Sequence, residues 1–367
     1  MIPHADRPPV YVDANPLADK HLTGIGRYTA RIALAMAADG PVRFFTGDRE
    51  IVPPPDLRWH QDQDLARWGR RVWRGERRPL GTPPTGSMAV YGCLRPAERR
   101  FPFEVSILHD FTTLVVPHTH AESTRGLFRG FFAETLLSSD AALAVSDHTK
   151  FDASWLCDFP QERIGVCHSG PSLCVERHLH ARPVRRRPNV GLVVSTIEPR
   201  KNAPFLLEWF RNSTVLPRDT ELWWVGPVGW LTDRRSLRRY ERLDGRRVRF
   251  LGVVSDAKLC ELYQTAGWSV YPSLYEGFGF PVLDSLRHGA PVFASDNSAL
   301  REFTVPGVDF FDPGDASTLD AAWSRRVEIG PPAIDLAGLD DRYRWGRVAS
   351  AIRGLAQGRD GVGVRAA

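Results

Sequence analysis

The sequence predicts a layered α/β protein with a parallel sheet in each half of the chain. Three observations predict it. Short β-branched runs alternate with longer segments of helical apolar spacing, the pattern of parallel strands joined by crossover helices. The alternation comes as two series, separated by "CHSGPSLCVERHLHARPVRRRPN", where proline, glycine and a run of arginines break both periodicities. The length, 367 residues, suffices for two domains that each bury a core.

In the first series "PVYVDA" reads as a strand and "GIGRYTARIALAMAAD" after it as a helix. "VSILHD" is a further strand ending on His109 and Asp110, and "AALAVSD" another. The second series runs through "NVGLVVST", "ELWWVG", "VRFLGVV", "WSVYPS" and "PVFASD", with helical segments between. The least regular part, "DLARWGRRVWRGERRPLGTPPTG" (64–86), is expected to be a long exposed loop or a short helix.

An apolar fraction of 43% and a charged fraction of 25% are those of a soluble globular protein. The net charge of +5, carried mostly by arginine, favours anionic partners: a nucleotide, a phosphate-bearing lipid surface or nucleic acid. Five cysteines in no CxxC spacing read as reduced thiols, not as a disulfide frame or a zinc site. "MIPHADRPPV" lacks a signal pattern and no apolar run approaches a membrane span, so a cytoplasmic protein is expected.

The stretch "VYPSLYEGFGFPVLDSLRHGAPVFASD" places Glu276 in a glycine-rich loop before an expected helix. Pro281 suits the first helical position, and Asp284 is expected in the first turn. Unpaired amides at that helix start, with Gly277 and Gly279 allowing close approach, suit a diphosphate. The carboxylates would then grip sugar hydroxyls on either side of it. A plain strand-to-helix turn, with Asp284 complementing the helix dipole, accounts for the same residues. "VVSTIEPRKN" likewise leaves Arg200 and Lys201 as phosphate ligands or as a solvated helix start. Gly24 and Gly26, at a strand-to-helix turn, fit a ligand loop or simple steric need. His109 and Asp110 stand at a strand's carboxyl end, where open parallel sheets bind ligands. His118 and His120 complete no metal-ligand set, so no metal is assigned.

Together these motifs resemble the retaining family 4 glycosyltransferases of the GT-B fold. "YPSLYEGFGFPVLDSLRHGAPVFASD" is similar to that family's pair of acids separated by seven intervening residues, and "EPRKN" to its diphosphate-binding segment. The resemblance implies two Rossmann-like domains facing each other across a cleft: 1–170 for the acceptor and 187–344 for the donor, with a helix at about 345–360 crossing back. It implies that Glu276, with Gly277, Phe278 and Gly279, holds the transferred sugar, and that Asp284, where the family usually has Glu, binds the ribose. Arg200 and Lys201 would hold the diphosphate. Ser195 replaces a usual glycine. Gly24 and Gly26 would face the donor, and Gly226 and Val253 would border the base through backbone contacts. His109, with Asp110 beside it, would lie by the sugar and acceptor.

The implied activity is retaining transfer of a hexose, first mannose from GDP-mannose, to a glycan or lipid-linked acceptor in bacterial surface-polysaccharide synthesis. No metal or cofactor would be needed, since the nucleotide sugar is itself a substrate. A nucleotide-sugar epimerase, a glycan phosphorylase, a non-catalytic scaffold and a nucleic-acid-binding protein are the rivals. No nucleic acid partner is expected, because basic residues interleave with aromatics in one segment only. That segment, "ARWGRRVWRGERR", has six arginines with Trp68 and Trp73. It reads either as a peripheral contact with an anionic inner membrane face or as an ordinary arginine-rich loop.

Overall fold

A computed structural model describes residues 7–19, 22–60, 64–172, 185–241, 243 and 245–357. Most of the interruption between the two series, 173–184, lies outside the described residues, as do 358–360 of the expected last helix. Contacts divide the chain into two units. Among described residues the first takes 7–111, 126–172 and 342–357, and the second takes 112–125 and 185–341.

The first unit carries a sheet of eight strands: β1 (Val10–Asp13), β2 (Val42–Thr46), β3 (Arg49–Val52), β4 (Glu76–Pro79), β5 (Met88–Tyr91), β6 (Phe103–Leu108), β7 (Ala141–Ala144) and β8 (Ile164–Val166). Their order is β4-β3-β2-β1-β5-β6-β7-β8, parallel from β2 to β8 and antiparallel at the β2–β3 and β3–β4 pairs. β1 is buried at every position, so it reads as a continuous apolar run and not as an alternation. The helix Gly24–Ala37 covers the sheet, and the helix Trp345–Gln357 packs against it. Trp345 meets Tyr28 edge-on at 5.2 Å and donates its indole N–H to the Pro171 carbonyl at 2.9 Å. Arg353 binds Asp39 at 3.2 Å and the Met36 carbonyl at 3.2 Å.

The region 64–86, expected to be a long exposed loop or a short helix, begins with a short helix. Leu65–Trp73 is a helix capped by Asp64, whose carboxylate accepts from the Arg67 amide at 3.0 Å. Leu65, Trp68 and Val72 recur at helical spacing and are buried, Trp68 only 1% exposed. The interleaved arginines hid that stripe, and Trp68 is core, not a membrane-facing residue.

The second unit holds a wholly parallel sheet of six strands: β9 (Arg187–Val194), β10 (Glu221–Val225), β11 (Arg247–Gly252), β12 (Ala266–Tyr271), β13 (Val292–Ser295) and β14 (Val308–Phe311), ordered β11-β10-β9-β12-β13-β14. Helices cover both faces, as wholly parallel sheets require. One face packs Trp224, Trp268, Phe293 and Phe210; the other packs Leu192, Val225 and Tyr263. Residues 112–125 join this unit through Trp230, whose indole N–H donates to the Thr119 carbonyl at 2.9 Å while His120 stacks on its ring.

Candidate active site

Adjacent parallel strands β9 and β12 end side by side, and the loops leaving them meet. After β9 the chain makes the short turn Pro199–Lys201, with Asn202 in the left-handed region at φ 54°. The Leu274 amide donates to the Arg200 carbonyl at 2.9 Å, which ties this turn to the loop after β12. Asn297 grips the same loop through the Ser273 and Leu274 carbonyls, both at 3.1 Å. Ser298 accepts the Glu276 amide at 2.9 Å.

These ties bring Glu276, Arg200 and Lys201 together. Arg200 Nη1 donates to Glu276 Oε2 at 2.7 Å and to the Tyr275 carbonyl at 3.0 Å. Lys201 Nζ donates to Glu276 Oε1 at 2.5 Å. The glutamate therefore bridges both cations, one on each oxygen. Burial opposes its charge, yet the attraction of Arg200 and Lys201 prevails and brings its carboxyl down to about 2. Arg200 Nη2 also lies 3.0 Å from Glu198, a buried carboxyl whose pKa burial raises against the pull of the same cations. Sequence reasoning gave Glu198, Asn297 and Ser298 no role; the polar run after β13 was the signal for the last two.

Gly279, at φ 125°, precedes the helix Phe280–Arg287. A Cβ there would come within 2.9 Å of Leu300, and the conformation itself excludes most side chains. A cavity of about 20 Å³, room for about one water, is lined by Lys201, Glu276 and Gly279 together with Ser195 and Ser273.

Several expected details differ. The helix begins at Phe280, so Pro281 is its second residue and Asp284 its fifth, beyond the first turn. Asp284 is 2% exposed, a buried carboxylate and not a dipole-complementing surface acid. Gly277 is buried, and Phe278 packs its ring against Phe280 and Phe303 at 5.3 and 5.5 Å, so its side chain belongs to the core. Gly226, at φ 139°, already donates its amide to the Gly252 carbonyl at 2.9 Å, and a Cβ there would overlap the Ser195 carbonyl. The bond to Gly252 commits the amide and leaves the Gly226 carbonyl for the expected backbone contact. Val253 is exposed.

In the first unit, Gly24 is exposed at the first position of its helix. Gly26 is buried and gives its amide to the capping Thr23 hydroxyl at 3.3 Å. His109 follows β6 and donates Nε2–H to the Gly92 carbonyl at 2.8 Å, since a carbonyl can only accept. Burial lowers its pKa, so the ring is neutral near pH 7 with Nδ1 as its acceptor. Tyr28 lies edge-on to it at 4.9 Å. Asp110 follows, half-buried.

Solved structures share this arrangement of sheets. Anabaena Alr3699/HepE in complex with UDP-glucose superposes with a TM-score of 0.63 at 14% identity, covering 97% of this chain and 100% of that one. WaaG, a glycosyltransferase involved in lipopolysaccharide biosynthesis, superposes with a TM-score of 0.54 at 16% identity, covering 95% and 97%. The chain is 26% identical to O-antigen chain mannosyltransferase B of Escherichia coli over 382 aligned positions, 92% of each protein. The two parallel-sheet units and these likenesses define a glycosyltransferase of the GT-B fold. Residues 187–327 match the family described as "Glycosyl transferases group 1". Among the described residues no helix is long and apolar enough to cross a membrane.

Proposed function

We propose that the protein is a retaining, metal-independent mannosyltransferase that extends a bacterial surface polysaccharide on a glycan or lipid-linked acceptor. The observation that carries this reading is the bridging of Arg200 and Lys201 by Glu276 beside the Gly279 helix start. Two cations held 2.5 to 2.7 Å from one carboxylate form a ready anion site. A donor diphosphate takes the place of that carboxylate on them, and Glu276 turns to the hydroxyls of the sugar. The cations then stabilise the charge that develops on the leaving diphosphate. The leaving phosphate oxygen accepts the acceptor's proton on the face from which it departs, so no protein base is required. Asp284 holds the ribose, and Gly24, Gly26 and the backbones of Gly277, Phe278 and Val253 complete the donor contacts. Neutral His109, with Asp110 beside it, orients sugar and acceptor through Nδ1. Residues 1–170 serve as the acceptor domain and 187–344 as the donor domain.

GDP-mannose is favoured as donor because the relative matched over 92% of this chain is a mannosyltransferase. The HepE complex, which holds UDP-glucose, makes a UDP-sugar the alternative. Thermal shift with GDP, UDP, GDP-mannose and UDP-glucose tests the reading. Stabilisation by GDP and GDP-mannose, lost in Lys201→Ala, is the expected result; no response to any of the four overturns it.

A further inference from the structure

We propose that the cavity bounded by Asp13, Asn15, Phe45, Tyr91 and Arg100 is a sugar-binding subsite, holding one pyranose ring of the acceptor glycan. The proposal rests on the glycosyl-transfer reading above, but its site lies wholly within the first unit. The cavity measures about 300 Å³, at the lower end of small-molecule sites. It opens at the carboxyl ends of β1, β2 and β5. β1 lies between β2 and β5, where strand order reverses, the place at which open parallel sheets take ligands.

The groups around it are those a pyranose needs. Asp13 is 2% exposed. Its Oδ1 accepts from the Asn15 amide at 3.1 Å and from Asn15 Nδ2 at 2.7 Å, leaving Oδ2 for a ligand hydroxyl in the cavity. Asn15 is fixed in turn by the Thr46 hydroxyl at 2.7 Å. Arg100 spends Nη2 on Glu98 at 2.8 Å, while its Nη1 is buried with no hydrogen-bond partner among the described residues. Such a donor is costly to bury and is satisfied by a hydroxyl or ring oxygen. Phe45 and Tyr91, edge to face at 5.4 Å, supply an aromatic wall for the ring's C–H face. Tyr91 and Arg95 are both committed to Glu104 and act as fixed walls. A bare phosphate fits worse, because the Asp13 carboxyl shares the space with the guanidinium.

The test is saturation-transfer NMR on the full chain with the methyl α-pyranosides of mannose, glucose, galactose and N-acetylglucosamine. At least one should bind, and Asp13→Asn and Arg100→Ala should each weaken it about tenfold or more. Circular dichroism melting confirms that each variant is folded, and Asn15→Ala serves as a third variant if one is not. GDP binding should stay within about twofold of wild type in all of them. Binding of none of the four glycosides, or binding that survives both substitutions, overturns the subsite. Loss of the nucleotide response in the wild type would instead sink the donor reading, and the glycoside signal would still decide the subsite by itself.

Discussion

Replacing Glu276 by glutamine keeps the side chain's shape and removes the charge that Arg200 and Lys201 share. The folded carboxyl titrates at about 2 against an ordinary value of 4.5. The lowered pKa means that the stabilisation is fully present above about pH 4.5 and is lost as pH falls through about 2. At about 1.4 kcal/mol per tenfold in proton affinity, that difference corresponds to about 3 kcal/mol at neutral pH. The side chain is 15% exposed, so solvent screens little of it. Urea unfolding followed by tryptophan fluorescence reports on this unit, whose core holds Trp209, Trp224, Trp268 and Trp323. Glu276→Gln should lose about 3 kcal/mol at pH 7 and roughly half of that at pH 3. An unchanged midpoint at pH 7, or a loss equally large at pH 3, would refute the bridge as the source of the shift.

Three further outcomes are expected. Lys201→Ala should lower kcat by about a hundredfold or more with the fold intact by circular dichroism, because one of the two charges proposed to face the leaving group is gone. Asp13 behaves oppositely to Glu276: burial raises its pKa to about 7 despite the hydrogen bonds from Asn15, so ionising it costs stability. That cost grows as pH rises from about 4 to 7 and then levels off; Asp13→Asn should gain up to about 4 kcal/mol at pH 8 and little at pH 4, read from melting curves. Gly191→Ala places a methyl 2.4 Å from the Trp268 ring and should cost about 1–3 kcal/mol in the same unfolding assay.

The strands of the second unit were legible because buried parallel strands read as continuous apolar runs, and "NVGLVVST" and "WSVYPS" are such runs. The polar cluster was legible as well: Arg200, Lys201 and Glu276 do converge, although they stand 75 residues apart in sequence. Their pairing was not, since spacing says which loops meet and not which side chains a loop turns toward each other. The helix over 65–73 was one of two readings, and its burial was hidden for a different reason: the stripe of Leu65, Trp68 and Val72 is diluted by the arginines between them. Asp284 was misplaced by counting from Pro281, because Gly279 lets the helix begin one residue earlier. The Asp13 cavity gave no signal, as its walls come from strands far apart in the chain and include the short, weakly patterned β2.

The first unit is sealed by the helix Trp345–Gln357, with Arg353 reaching the Met36 carbonyl across 317 residues of chain. During synthesis, therefore, the amino-terminal sheet emerges early but keeps an apolar groove uncovered while the whole second unit is being made. The second unit's main body, 185–341, can fold as it leaves the ribosome, whereas the first must wait for its lid, and in that interval it is a natural client for a chaperone.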